Sequence, residues 1–122
     1  MITGVVNQRL EALVSLEVRG PNGDARMIDA VIDTGYSGYL TLPGQVITAL
    51  GLPFMTTGSA ALADGSIVRF SVYEAAVLWD GQTRLLEVDE ADTAPLLGMA
   101  MLEHHDLHIQ VADGGRVTVE RR

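Results

Sequence analysis

The sequence predicts a mostly-β fold in a single domain spanning residues 1–122, with one or two short helices. Three observations predict it. Apolar and polar residues alternate over several segments, which is the pattern of half-buried strands. Turn-forming dipeptides recur at roughly the 8–12-residue spacing that is typical of a sandwich or barrel. The length of 122 residues suits one domain and is too short for two.

Alternation near the N-terminus predicts a strand hairpin. Val14, Leu16 and Val18 are spaced by two residues, and residues 20–23 contain Asn-Gly, the strongest hairpin dipeptide. The apolar run at residues 26–32 predicts the second strand. That strand leads directly into an aspartate.

The next segment predicts a short strand followed by a short helix. Residues 40–42 are expected to be extended. Pro43 can open a helix as its first residue, and residues 44–50 provide about two turns. Gly51 is expected to close the helix, because glycine adopts the left-handed conformation readily.

The middle of the chain predicts one long and one short strand between tight turns. Residues 54–63 are small and polar, and Asp64-Gly65 is a tight-turn signal. Residues 66–78 are rich in β-formers and end at Asp80-Gly81. A further strand is expected over residues 84–88.

The C-terminal third predicts a helix and a hairpin. Residues 87–92 are interpreted as a solvated acidic loop, and residues 99–104 contain good helix formers. Apolar residues at 107, 109 and 111 alternate again. The turn at residues 113–115 then leads into Val117 and Val119, which complete the hairpin.

Four apolar residues of this region are expected to pack. Trp79 stands beside a turn and is interpreted as a packing residue at a hairpin end. Met99, Met101 and Leu102 form a cluster that is expected to lie in the core.

Composition excludes several classes of function. The net charge is −8 and only eight residues are Lys or Arg, so the surface repels phosphate and nucleic-acid binding is not expected. Without cysteine there is no disulfide and no thiolate chemistry. No segment approaches the ~20 apolar residues of a membrane span, and the N-terminus does not resemble a signal peptide. A cytoplasmic protein without membrane contact is therefore expected.

The most informative motif is Asp33-Thr34-Gly35. It places a carboxylate at the end of an apolar strand, with a hydroxyl and a glycine directly behind it. A second short apolar segment, Leu96-Leu97, also ends in a glycine, Gly98. An Asp-Gly hairpin tip lies between the two.

In this combination the sequence resembles the small bacterial members of the retropepsin-like aspartic proteases, over nearly the whole chain. Residues 30–35 match the active-site strand and loop of that family. Residues 96–98 match its hydrophobic-hydrophobic-glycine segment, which supports the active-site loop. Ala63, Asp64, Gly65 and Ser66 fall at the tip of its flap. The resemblance implies a retropepsin-like closed β-barrel.

The resemblance also implies an activity and a partner. Two carboxyls that share one proton can activate a water for peptide hydrolysis. Only one such motif is present, so the second Asp33 must come from another copy of the chain. Thr34 would brace the pair, and Gly35 would let a peptide approach closely. The expected substrate is an extended peptide or protein segment, and neither a metal nor an organic cofactor is required.

Three positions depart from the family pattern. Many viral relatives carry an acidic residue and an arginine where this chain has Ser37 and Met99, so an ion pair that supports the dimer is missing. Ser37 could substitute by hydrogen bonding. Tyr36 replaces a small residue that lines a substrate pocket, so it either narrows that pocket or points into the core.

Alternatives stand beside this hypothesis. Asp33 could be an ordinary turn residue, and the fold could serve as a non-enzymatic dimerisation or peptide-binding module. Asp29 is expected on the solvated outer face of its strand, and Asp64 as the favoured residue before a turn glycine. His104 and His108 would share one helix face and suggest a metal site only if the helix continued, whereas the following alternation indicates a strand.

Overall fold

The computed structural model describes residues 1–122 and confirms the mostly-β prediction. The strands are β1 (Ile2–Val6), β2 (Ala12–Arg19), β3 (Ala25–Ile32), β4 (Leu40–Leu42), β5 (Phe54–Ala61), β6 (Ile67–Trp79), β7 (Gln82–Glu90), β8 (Leu96–Leu97), β9 (His105–Ile109) and β10 (Arg116–Arg121). The helices are α1 (Gly44–Leu50) and α2 (Met99–Leu102). The longer helix has seven residues, and neither is long and apolar enough to cross a bilayer.

All ten strands belong to one sheet, in the order β5-β6-β7-β4-β8-β3-β2-β1-β10-β9. An additional pairing joins β6 to β2, so that six strands from β6 to β2 form a closed ring. The edge of β2 that faces away from β3 pairs with two strands. Ala12 and Leu13 pair with β1, and residues 17–19 pair with β6. The strands β1, β10 and β9 therefore extend beyond the ring at one end, and β5 extends beyond it at the other.

The core follows the predicted period of two. Val14, Leu16 and Val18 of β2 are buried while the residues between them are not. These side chains join one cluster of 22 buried residues, contributed by the strands and by both helices. Trp79 lies in this cluster with 4 % of its surface exposed, which confirms its packing role. Asp29 is exposed, as predicted, and accepts a 2.5 Å hydrogen bond from the Ser15 hydroxyl.

The predicted turns form as their residues require. Asp80 and Gly81 both have positive φ, of 49° and 82°, and join β6 to β7 in a two-residue hairpin. Gly51 ends α1 in the left-handed conformation, with φ 60°. Pro43 precedes the helix as its N-cap and is not its first residue, because its ψ of 153° is extended.

Three segments differ from the sequence prediction. Residues 54–61, which carried no strand prediction, form β5 because they pair with β6 from Phe54 to Ala61. The predicted acidic loop at residues 87–92 is wrong: β7 continues to Glu90, since residues 88–90 pair with β4 and residues 87–89 with β6. The second helix ends at Leu102, and the chain then turns at His104, whose φ is 66°.

Two apolar residues also lie outside their predicted places. Met101 and Leu102 are buried, but Met99 is 47 % exposed, because α2 is a single turn that presents only one side to the core. Val111 is exposed and follows the end of β9. Leu107 and Ile109 do pack against the core, as predicted.

The terminal strands pair within the chain. Residues 2–5 of β1 lie antiparallel to residues 116–119 of β10. The far side of β10 is occupied by β9. Strand β10 is therefore paired along both of its edges within the chain.

Candidate functional site

The Asp33 carboxylate sits in a tight turn at the end of β3. Its Oδ1 accepts a 2.9 Å hydrogen bond from the Gly35 N–H, and its carbonyl accepts a 3.1 Å bond from the Tyr36 N–H. Asp33 is half-buried, whereas Thr34 and Gly35 are exposed. A Cβ atom at Gly35 would lie 3.2 Å from Asp33 Oδ1, so a glycine leaves the carboxylate uncrowded. The turn therefore fixes one carboxylate oxygen and presents the loop to the surface.

The segment Leu96, Leu97 and Gly98 lies directly behind this turn. Strand β8 runs parallel to β3, with Val31 opposite Leu96 and Ile32 opposite Leu97. The Asp33 N–H donates to the Leu97 carbonyl at 2.9 Å. Leu97 is fully buried, so the carbonyl that anchors Asp33 belongs to a residue fixed in the core.

Backbone hydrogen bonds join Gly98 and α2 to the far side of the same loop. The N–H groups of Gly98, Met99 and Ala100 donate to the carbonyls of Tyr39, Tyr36 and Gly38 at 3.0, 2.8 and 3.1 Å, respectively. The residues from 33 to 39 are thus held by main-chain bonds at both ends. This brace needs no side-chain ion pair between positions 37 and 99.

Tyr36 folds into the space that two glycines leave open. A Cβ atom at Gly98 would lie 2.5 Å from Tyr36 Cδ2, and one at Gly38 would overlap the Tyr36 hydroxyl. Real Cβ atoms do not approach other heavy atoms so closely, so neither position accepts a side chain beside the ring. At Gly98 a Cβ atom would also overlap the Gly38 carbonyl oxygen. Tyr36 therefore turns inward beneath its own loop.

The Tyr36 hydroxyl donates a 2.6 Å hydrogen bond to Asp89 Oδ2 on β7, and it lies 3.4 Å from the Leu40 carbonyl. Burial of the ring raises the pKa of Tyr36 far above its ordinary value, and the hydrogen bond to Asp89 adds to the shift. The hydroxyl consequently stays protonated and remains a donor. A side-chain bond therefore ties the Asp33 loop to β7.

A cavity of about 520 Å³ opens beside the loop. On one side it is lined by Gly35, Tyr36, Ser37 and Gly38, which follow Asp33. The opposite side comes from the β5–β6 hairpin, and Asp89, Glu90 and Ala91 complete the wall. A second cavity of about 580 Å³ shares Phe70, Glu90 and Ala91 with the first. The two form adjoining parts of one long depression along the hairpin.

The predicted flap tip lies outside this cavity wall. Ala63, Asp64, Gly65 and Ser66 form the turn between β5 and β6, where Gly65 has φ 86°. Asp64 Oδ1 accepts hydrogen bonds from the Ser66 hydroxyl at 2.6 Å and from its N–H at 2.9 Å, and these bonds lower the pKa of Asp64. Asp64 therefore orders its own turn, which agrees with the simpler of its two interpretations.

Sequence reasoning missed several residues of the site. Ser59, Ala60 and Ala61 line the cavity from β5, and the only signal for them was a run of small residues. Asp89 was assigned to a loop. Thr41 is 5 % exposed and its Oγ1 accepts the Leu96 N–H at 2.9 Å; an isolated threonine between two leucines carries no signal for such a role.

The histidines do not lie on one helix face. Because α2 ends at Leu102, His104 lies in a turn and His108 lies in β9. No group of three or more His, Asp or Glu side chains has the geometry to hold a metal ion. His105 instead accepts a 3.1 Å hydrogen bond from Trp79 Nε1, which belongs to the packing of β9 on the core.

Comparison with known proteins gives no assignment: no protein-family model matches the chain, and no curated protein is detectably similar to it.

Proposed function

We propose that this chain is an aspartic endopeptidase that works as a homodimer, with one Asp33 carboxyl from each copy forming the catalytic pair. The observation that carries the proposal is the Asp33 turn itself. A half-buried carboxylate is held by the Gly35 N–H at the end of a core strand, and its loop lines a cavity beneath a long hairpin. We also propose that the six-stranded ring corresponds to the closed barrel of the retropepsin-like fold.

The chemistry follows from placing two carboxyls close together. Like charges about 3 Å apart cannot both ionise, so the pair holds one proton at working pH. The ionised carboxyl takes a proton from water as the water oxygen attacks the peptide carbonyl carbon. The protonated carboxyl donates to the carbonyl oxygen, and a proton then passes to the leaving nitrogen as the C–N bond breaks. Thr34 and Gly35 are exposed beside Asp33, so this part of the loop is free to contact a second copy.

The proposed substrate is an extended peptide. The strand β5 pairs only with β6, so its other edge offers free main-chain groups beside the cavity. A peptide can pair with such an edge through main-chain hydrogen bonds. The small side chains of Ser59, Ala60 and Ala61 leave room for it. Tyr36 lies beneath the loop and does not fill the cavity, which favours a site that accepts side chains of ordinary size.

The test is cleavage of a peptide library between pH 4 and 7 by the parent chain, Asp33→Asn and the matched control Asp29→Asn. Asp29 is exposed on the outer face of the same strand. We expect the kcat/KM of Asp33→Asn to fall by about 10²–10⁴-fold, the usual size of a general acid–base contribution. The kcat/KM of Asp29→Asn should equal that of the parent. Cleavage by Asp33→Asn at the parent rate would show that Asp33 is not catalytic.

A second candidate is a peptide-binding module without catalysis. It is favoured by the bond between Tyr36 and Asp89, because a bulky residue stabilises the loop at a position where the family resemblance implies a small, pocket-lining one. In that case peptides should bind saturably without being cleaved at any pH. The affinity should be the same for the parent and Asp33→Asn, whereas measurable Asp33-dependent cleavage excludes this function.

A further inference from the structure

Strand β9 offers an open edge at the end of the sheet, since it pairs only with β10. Two hydrogen bonds that flank β9 show which of its residues bond to β10. They run from the Gln110 N–H to the Arg116 carbonyl and from the Arg122 N–H to the His104 carbonyl, so the even-numbered residues face β10. Main-chain groups alternate in direction along an antiparallel strand. The N–H and C=O groups of His105, Leu107 and Ile109 therefore point away from β10, toward the open edge.

The side chains of β9 leave that edge uncovered. Leu107 and Ile109 pack inward on the core, and His105 packs on Trp79. Asp106 and His108 are exposed on the opposite face. The strand contains no proline and its pairing with β10 shows no bulge, so it lacks two common devices that prevent edge pairing.

We propose that β9 pairs antiparallel with β9 of a second copy, about a two-fold axis at Leu107. The inference rests on the proposed function, which requires two copies. Because the outward-pointing groups belong to odd-numbered residues, odd-numbered residues must face odd-numbered ones, so the axis passes through a residue position. Axes at 106, 107 and 108 are those that pair at least three β9 residues of each copy. An axis at Leu107 sets Asp106 opposite the partner's His108, twice by symmetry. An axis at 106 would set Asp106 opposite its own copy, and an axis at 108 would set His108 opposite its own copy.

A comparison of the two strands at the ends of the sheet supports the same edge. These end strands are β5 and β9. Strand β5 lines the cavity where the peptide is proposed to bind, so a partner on β5 would compete with the substrate. Of the two end strands, β9 is therefore the one that a second copy can use while the site stays open.

Strand β9 is also connected to the Asp33 loop through a short stretch of chain. The Leu97 carbonyl accepts the Asp33 N–H, and the Met99 N–H donates to Tyr36. The single-turn helix α2 follows, and β9 begins at His105. Met99 exposes 47 % of its surface in this stretch. A partner held on β9 is thus attached to the same segment that holds the Asp33 turn.

The test uses single cysteines, because the chain contains none. Chains with Asp106→Cys are mixed with chains with His108→Cys and oxidised gently, and each variant is also oxidised alone. Facing residues of a non-hydrogen-bonded antiparallel pair have Cα atoms about 4.5 Å apart, within the range that a disulfide spans. We expect disulfide dimers in the mixture and little in either variant alone. Linkage in Asp106→Cys alone, or a dimer that never links, would overturn the proposed pairing.

A charge exchange tests the same pairing without oxidation. His108→Asp places carboxylates opposite each other twice and should raise the dimer Kd about tenfold, since like charges directly opposite destabilise a strand pair. Adding Asp106→His should restore the parent Kd. The control Thr56→Asp, on the free edge strand β5, should leave Kd unchanged. A lower Kd for His108→Asp, or loss of the dimer in Thr56→Asp, would contradict the pairing.

Failure of this inference can be told apart from failure of the proposed function. A dimer with Asp33-dependent cleavage that never links through positions 106 and 108 overturns the pairing and leaves the peptidase standing. Linkage in the mixture without cleavage at any pH supports the pairing and overturns the peptidase.

Discussion

Tyr36→Phe tests whether the bond to Asp89 holds the active-site loop. The change removes the hydroxyl that donates to Asp89 Oδ2 at 2.6 Å and keeps the ring between Gly38 and Gly98. A hydrogen bond to a charged group contributes about 1.5–3 kcal/mol. Both partners are only partly buried, so water replaces some of that interaction. We expect the free energy of unfolding to fall by about 1–2 kcal/mol.

Urea unfolding followed by the fluorescence of the single tryptophan, Trp79, measures this loss. The matched control is Tyr39→Phe, since Tyr39 is also half-buried and its ring packs beside the Arg84 guanidinium. The control should change stability by less than about 0.5 kcal/mol, because it removes only the hydroxyl and keeps the ring beside Arg84. Equal losses in the two variants would refute the view that the Asp89 bond stabilises the loop.

Two further predictions concern the same loop. The native state keeps the Tyr36 proton after the unfolded chain loses it, because burial raises the pKa of Tyr36; the parent should therefore lose stability as pH rises above about 10. In urea titrations from pH 9 to 11, the parent should lose about 1 kcal/mol of stability relative to Tyr36→Phe, mostly above pH 10, where the unfolded chain releases the proton; parallel profiles would contradict this. Gly98→Ala should cost about 1–3 kcal/mol by crowding the Gly38 carbonyl and the Tyr36 ring, whereas the control Gly44→Ala meets only the flexible end of Glu90 and should be neutral in the same assay.

Most of the fold could be predicted because its strands obey local rules. The alternation in β2 and the Asp80-Gly81 turn depend on neighbouring residues alone, and both form as expected. Strand β5 could not be predicted in this way. Its residues are small and exposed, and they become a strand only through pairing with β6. The prediction for the end of β7 was wrong for the same reason. Four acidic residues between 87 and 92 indicate a solvated loop, and the pairing with β4 that holds Glu90 in the sheet is not visible in sequence.

The same distinction between local and long-range features applies to the candidate site. Asp33, Gly35 and Gly98 were found because a strand-end aspartate and glycines that allow close approach are visible in sequence. Asp89 was not found, because its contact with Tyr36 joins residues 53 positions apart. The role of Gly98 was also only half visible. The sequence indicated that Gly98 lies behind the loop. It did not indicate that Gly98 makes room for the Tyr36 ring, since Tyr36 was assigned either to a substrate pocket or to the core.

The bracing of the Asp33 loop limits what a second copy must supply. Main-chain bonds from Leu97 and Met99 hold the loop, and the Tyr36 hydroxyl ties it to Asp89. All of these partners belong to one chain, so the carboxylate is oriented before any association. Positions 37 and 99 carry serine and methionine without leaving the loop unsupported. Under the proposed function, the interface therefore needs only to bring the second carboxyl close, and it need not contribute a residue to the bracing of the loop.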